Sequence, residues 1–169
     1  MSTTATGKEN SDQEYLAKAI ALATANVRNN GGPFGAVVVT ADGRAFDGVN
    51  RVTALNDPTA HAEVTAIRHA CSELGTFALT GATLYSSCEP CPMCLASALW
   101  ARVARVVFAA DRHDAASAGF DDAVFYEYFE NHQNHALMPV GRLELRDAQA
   151  QTFLEPFTTW KARDSRIDY

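Results

Sequence analysis

From Asp12 onward, apolar residues recur at helical spacing through Tyr15, Leu16, Ala19, Ile20, Leu22, Ala23 and Val27, and Asn29, Asn30, Gly31 and Gly32 supply a stop. The spacing predicts a first helix there. Residues 1–11, rich in Ser, Thr, Gly and Asn without periodicity, read as a disordered N-terminal tail. Residues 35–40 are short and β-branched, Asp42-Gly43 is a two-residue hairpin signal, and residues 44–50 complete an antiparallel pair. After Asp57-Pro58-Thr59, a stretch rich in Ala, Glu, Ile, Arg and Leu runs from His61 to Leu74 with Gly75 just past its end, which predicts a second helix. A short strand over 82–86 and a helix over 91–102 follow. The apolar run 103–110 suits a strand covered on both faces. Beyond Gly119 the pattern weakens to a helix near 122–130, a polar linker, a weak strand around 142–145 and a last helix from Asp147. Strand and helix alternate after residue 60, which predicts an α/β fold, a three-layer α/β/α sandwich around a central five-stranded mixed sheet.

At 169 residues, 47% hydrophobic and 20% charged, the chain can bury one substantial core, so residues 12–169 are expected to form a single domain. Fourteen Lys and Arg against twenty Asp and Glu give a net charge of -6, which argues against a nucleic-acid partner. The N-terminus has no apolar signal region and no apolar run is long enough to span a bilayer, so a soluble, cytoplasmic protein without a membrane partner is expected. Of four cysteines, Cys88, Cys91 and Cys94 share one seven-residue stretch and Cys71 stands alone upstream. Such clustering points to metal binding in a reducing compartment rather than to disulfides.

His61-Ala62-Glu63 and Pro90-Cys91-Pro92-Met93-Cys94 each open a predicted helix, and together they offer one imidazole, two thiols and a carboxylate. Zinc favours a tetrahedral shell of such ligands, and a catalytic site leaves the fourth position to a water whose pKa falls to about 7. Two residues from His61, Glu63 can reach that water without binding the metal, take its proton and deliver it to a leaving group. Helix N-termini add a positive dipole end that stabilises thiolates. The pair of segments matches the H-x-E and P-C-x-x-C signature of zinc-dependent nucleobase deaminases. A second arrangement is a closed, structural zinc site with Cys88 as fourth ligand. Three extended residues span about 10 Å, so that loop would have to curl back, and Glu63 would have no role. Cys71 fits a small buried hydrophobe. His132 and His135 fit a solvated loop, His69 surface or core packing, and His113, between Asp111 and Asp114, a charge-paired turn.

Four stretches resemble the bacterial guanine deaminases of the cytidine deaminase superfamily: Gly31-Gly32-Pro33-Phe34-Gly35-Ala36-Val37, the run from Asn56 through His61-Ala62-Glu63 to Arg68, Ser87-Cys88-Glu89-Pro90-Cys91-Pro92-Met93-Cys94, and Ala118-Gly119-Phe120-Asp121-Asp122. The resemblance runs from about Tyr15 to Phe129, and the terminal Tyr169 is similar to the family's ending. It implies a cytidine deaminase-like fold with His61, Cys91 and Cys94 holding one Zn2+ per subunit and Glu63 as principal proton shuttle. It also implies that Asn50 and the Ala62 backbone N–H hydrogen-bond the purine, that Phe34 walls the pocket, and that Asp122 is a second catalytic carboxylate. Trp100 is a further candidate for the pocket lining, and Tyr169 for substrate contact. Core packing is the alternative for Phe34 and Trp100, and for Asp122 the alternative is that Asp121 caps the next helix instead. The implied reaction converts guanine to xanthine and ammonia, in a homodimer whose swapped C-terminal segment, about 131–169, completes the partner's site. Guanosine deamination shares these motifs, tRNA adenosine deamination calls for a basic surface, and a structural zinc module is the non-enzymatic alternative.

Overall fold

Helix α1 (Thr3–Arg28) opens the chain in the computed structural model, which describes residues 3–131, 136–146 and 152–169. It starts well ahead of Asp12 and takes in residues 3–11. No proline interrupts that stretch, and extending an existing helix costs far less than nucleating one. At its end Asn30 adopts a left-handed φ of 60° and the Gly31 N–H returns to the Asn26 carbonyl at 2.8 Å.

Strands β1 (Gly35–Val39) and β2 (Ala45–Val49) form the expected hairpin across Asp42-Gly43. Strand β3 (Thr83–Cys88) pairs antiparallel with the other edge of β1, and β4 (Arg105–Ala110) runs parallel to β3, so the mixed sheet has the order β2-β1-β3-β4. A parallel pair needs a crossover, and helix α4 (Pro92–Trp100) supplies it. Helices α2 (Val52–Leu55) and α3 (Ala62–Leu74) connect β2 to β3.

Two glycines show how the layers are assembled. Opposite residues of an antiparallel pair share a face, so Gly35, opposite Val49, and Gly48, opposite Ala36, belong to different faces. A Cβ on Gly35 would come within 2.4 Å of the Ala19 carbonyl in α1, and one on Gly48 within 2.3 Å of the Ala62 carbonyl in α3. The two helices therefore lie on opposite faces, each drawn close where a strand lacks a side chain. Ala36, Val38, Phe46, Ala66, Ile67, Ala70 and Leu84 form the core on the α3 side. Across the sheet, Val37 and Tyr85 face α1, with the Tyr85 ring 5.1 Å from that of Tyr15.

The sheet has four strands among the described residues, not five. Residues 142–145, the weak strand of the sequence pattern, pair with no neighbour, and Leu143 is 83% exposed, so the short alternation there is not backed by a covered face. Helices α5 (Arg112–Ser117) and α6 (Ala123–Glu130) follow β4. The chain divides into two compact units, Met1–Glu130 and Asn131–Tyr169. In the second, helix α7 (Glu155–Lys161) is seen and the rings of Trp160 and Tyr169 meet edge to face at 6.5 Å. The helix start expected at Asp147, and His132 and His135, lie outside the described residues. Among the described residues no helix is long and apolar enough to cross a membrane.

Candidate active site

Two helix N-termini deliver the sulfur and nitrogen donors to one point. His61 is the N-cap of α3 and Cys91 the N-cap of α4, both in extended conformation, with Pro92 at the first helical position and Cys94 in the first turn. Cys91 Sγ, Cys94 Sγ and His61 Nδ1 form a triangle whose three edges are each 3.6 Å. A tetrahedral zinc, with bonds of about 2.3 Å to sulfur and about 2.0 Å to nitrogen, sets a sulfur pair about 3.8 Å apart and a sulfur–nitrogen pair about 3.6 Å apart. The donor set fits that ion. The electrostatics point the same way: the hydrogen bond with Cys94 holds Cys91 down to about 4, with His61 adding to it, and the Cys91 contact raises His61. Cys94 is pushed upward by Cys91 and by burial, and a divalent cation would bind both sulfurs as thiolates.

Cys88 ends β3 and does not join this cluster. Its thiol donates to the Asp111 carbonyl at 3.5 Å and is pushed up to about 11, chiefly by burial. This geometry disfavours the closed four-ligand site. Cys71 packs half-buried against the core, and His69 lies edge-on to Phe46 with its Nδ1 3.1 Å from the Asp47 carbonyl. Asp111 caps α5 by accepting from the His113 and Asp114 backbone N–H groups, a capping box in place of the charge-paired turn expected around His113.

Glu63, 5% exposed in the first turn of α3, stands beside the triangle. Its Oε1 accepts from the Ser86 hydroxyl at 3.0 Å, and its Oε2 is 3.4 Å from Cys94 Sγ. Burial raises its affinity for a proton. A cavity of about 450 Å³ opens in front, lined among others by Phe34, Asn50, His61, Glu63, Cys91 and Asp122. Asp121 and Asp122 divide their work: the Asp121 carboxylate accepts from the Ala123 N–H at 3.0 Å and caps α6, leaving the Asp122 carboxylate half-buried in the cavity wall. Burial, and then the nearby Cys91, raise Asp122 above the usual carboxylate range.

Asn50 is buried at the end of β2, and its Oδ1 accepts from the Val52 N–H at 3.3 Å. Phe34 both lines the cavity and packs on the core, its ring edge-on to Phe120 at 5.0 Å. Ala62 is the first residue of α3, where backbone N–H groups have no acceptor within the helix. Trp100 lies elsewhere: it ends α4, is 64% exposed, has the Arg102 guanidinium 5.8 Å from its ring, and is not among the residues lining the cavity. Tyr169 belongs to the second unit.

Three supporting groups escape sequence reasoning. Asn26, buried in α1, donates from Nδ2 to the Gly32 carbonyl at 2.9 Å and to the Asn50 carbonyl at 2.8 Å, tying the glycine loop to the strand end that carries Asn50. Ser86 braces Glu63 from β3. Arg112 reaches the cavity wall while paired with Glu89. Apart from the Asn26 bond to Gly32, these are contacts between residues more than 20 positions apart, and only the polar residue inside an apolar strand, as at Ser86, gives a local hint.

The family described as Cytidine and deoxycytidylate deaminase zinc-binding region matches residues 9–110. A guanine deaminase of Bacillus subtilis (strain 168) is 43% identical over 158 residues, 93% of this chain and 98% of the relative. The X-ray structure of a Bacillus subtilis guanine deaminase superposes with a TM-score of 0.85 over 93% of this chain and 98% of that one, at 43% identity. A guanine deaminase structure from Nitrosomonas europaea has a TM-score of 0.60 at 33% identity, covering 63% of each chain. With the donor triangle, the adjoining carboxylate and these likenesses together, the chain belongs to the cytidine and deoxycytidylate deaminase family of zinc-binding enzymes.

Proposed function

We infer that this protein hydrolyses the 2-amino group of guanine, releasing xanthine and ammonia. The observation that carries the reading is a zinc-shaped donor triangle with Glu63 buried beside it, in a chain 43% identical to a guanine deaminase across nearly the full length of both. Bound zinc supplies a water acidified to about neutral pKa. Glu63 is the base that takes a first proton from the attacking water and gives it to a ring nitrogen, and it then takes the remaining hydroxyl proton from the oxygen added at C2 and gives it to the departing amine. Oxygen adds at C2, the bond from C2 to the exocyclic nitrogen breaks, and ammonia leaves with the proton that Glu63 carried. Its hydrogen bond to Ser86 supports this role by leaving the other oxygen on the metal side. Asp122, in the cavity wall, is the second carboxylate acting on the base or its amino group. Asn50 and the Ala62 N–H orient the purine, and Phe34 walls it.

The surrounding features agree with a small substrate. A net charge of -6 is a poor match for tRNA, and all four cysteines are unpaired, as expected in the cytoplasm. The quaternary reading is a homodimer in which residues 131–169 of one subunit close the partner's cavity and bring Tyr169 to the base. Its support is the family-like ending and the separation of that segment as its own compact unit. Ammonia release from guanine, guanosine, adenine, cytosine and cytidine, measured side by side, tests the substrate. Guanine is expected to lead, and faster turnover of guanosine would overturn the free base as substrate.

A further inference from the structure

Glu89, Arg112 and Tyr126 form a stack that the chemistry above does not use. Glu89 follows the last residue of β3 and precedes Pro90-Cys91, and its N–H donates to the Ala110 carbonyl at 2.8 Å. Its Oε1 accepts from Arg112 Nε at 3.1 Å and Nη2 at 2.6 Å, while Oε2 accepts from the Arg112 backbone N–H at 3.1 Å. The guanidinium lies 3.8 Å from the centroid of the Tyr126 ring. The Tyr126 hydroxyl then donates back to the Pro90 carbonyl at 3.0 Å, closing a ring of contacts around the start of the metal loop.

Tyr126 lies four positions beyond Asp122, so the two share one face of the α6 turn. The Phe125 N–H bonds the Asp122 carbonyl at 2.9 Å, which builds Asp122 into that turn. Whatever fixes Tyr126 therefore fixes Asp122. We propose that Glu89, Arg112 and Tyr126 are positioning residues that lock α6 to the metal loop through the Pro90 carbonyl and so hold the Asp122 carboxylate in the cavity beside Cys91. The proposal rests on the role given to Asp122 above. Its parts suit a rigid link: the guanidinium gives two hydrogen bonds to one oxygen of the Glu89 carboxylate, the Arg112 backbone N–H holds the other oxygen, and the planar guanidinium lies against an aromatic face, so little freedom is lost on binding. Arg112 also supplies positive charge near Asp122, which works to lower its carboxyl.

The test uses the full zinc-loaded chain and Tyr126→Phe, which removes one hydroxyl and leaves the ring beneath Arg112. Zinc content is expected to stay at one per chain, kcat for guanine to fall about tenfold, and KM to change much less. In an Asp122→Asn background the same substitution should cost almost nothing more, because the group it positions is already gone. Amide hydrogen exchange should quicken at residues 123–126 and stay unchanged in α3, and Arg112→Gln should repeat both results. An equal loss of kcat in both backgrounds, unchanged exchange in α6, or a loss explained by missing zinc overturns the proposal. If Asp122→Asn itself keeps full activity, the catalytic role of Asp122 fails and takes the proposal with it. That outcome is distinct, because exchange in α6 still reports whether the link exists.

Discussion

Asp57 shows how one side chain decides where a metal ligand stands. Its Oδ1 accepts from the Thr59 N–H at 2.8 Å and the Thr59 hydroxyl at 2.6 Å, its Oδ2 from Arg68 at 3.3 Å, and the turn so tied delivers His61 to the head of α3. The Thr59 hydroxyl, then the Thr59 N–H and Arg68, hold the Asp57 carboxyl below its ordinary value of 3.8. A group depressed on folding stabilises the native state above its unfolded pKa and loses that contribution as pH falls through its native value. Asp57→Asn should therefore lower the denaturant midpoint at neutral pH, with the gap to the parent closing as pH drops below 3.8. A gap that keeps its size throughout would contradict this. At this scale His61, Glu63, Cys91 and Cys94 were legible, because zinc chemistry demands particular residue types at short spacing. Asp121 and Asp122 were ambiguous until the Ala123 N–H chose the first as cap. For Trp100 the pattern left pocket lining and core packing open, because an aromatic residue at a helix end carries no sign of which way it faces, and in this chain it is 64% exposed.

Elements whose signals are local came through. The Asp42-Gly43 hairpin, the α3 helix ended by Gly75 and the α4 crossover each carry their own start or stop residues, and the structure places them as the pattern implies. Failures came where neighbours decide. The start of α1 at Thr3 follows from helix continuation into a weakly patterned stretch, and the expected fifth strand at 142–145 pairs with no strand among the described residues. Gly48 illustrates a third kind of information: in a strand it reads as a weak point, yet it is where α3, and with it His61 and Glu63, comes into contact with the sheet. The catalytic helix is thus positioned by the absence of a side chain.

For the whole molecule, the clustered cysteines point to a metal site rather than disulfides, and the net charge of -6 favours a small substrate over a nucleic acid, which the substrate panel tests. The C-terminal compact unit, Asn131–Tyr169, coincides with the segment expected to exchange between subunits. If the second unit is exchanged between subunits, each site combines Glu63 of one chain with Tyr169 of the other. Mixing Glu63→Gln with an impaired Tyr169→Ala, after dissociation and reassembly, should then restore about a quarter of parental activity, because half the dimers are hybrids with one intact site. Unexchanged segments would give no recovery. The proposed reaction stands on a proton moved by Glu63 at a zinc site, and xanthine formation from guanine by the zinc-loaded protein, beside Glu63→Gln with its zinc measured, is its most direct test. The variant is expected to keep one zinc per chain and lose about 10² to 10⁴ in rate. A variant that holds its zinc and turns guanine over at close to the parental rate would contradict it.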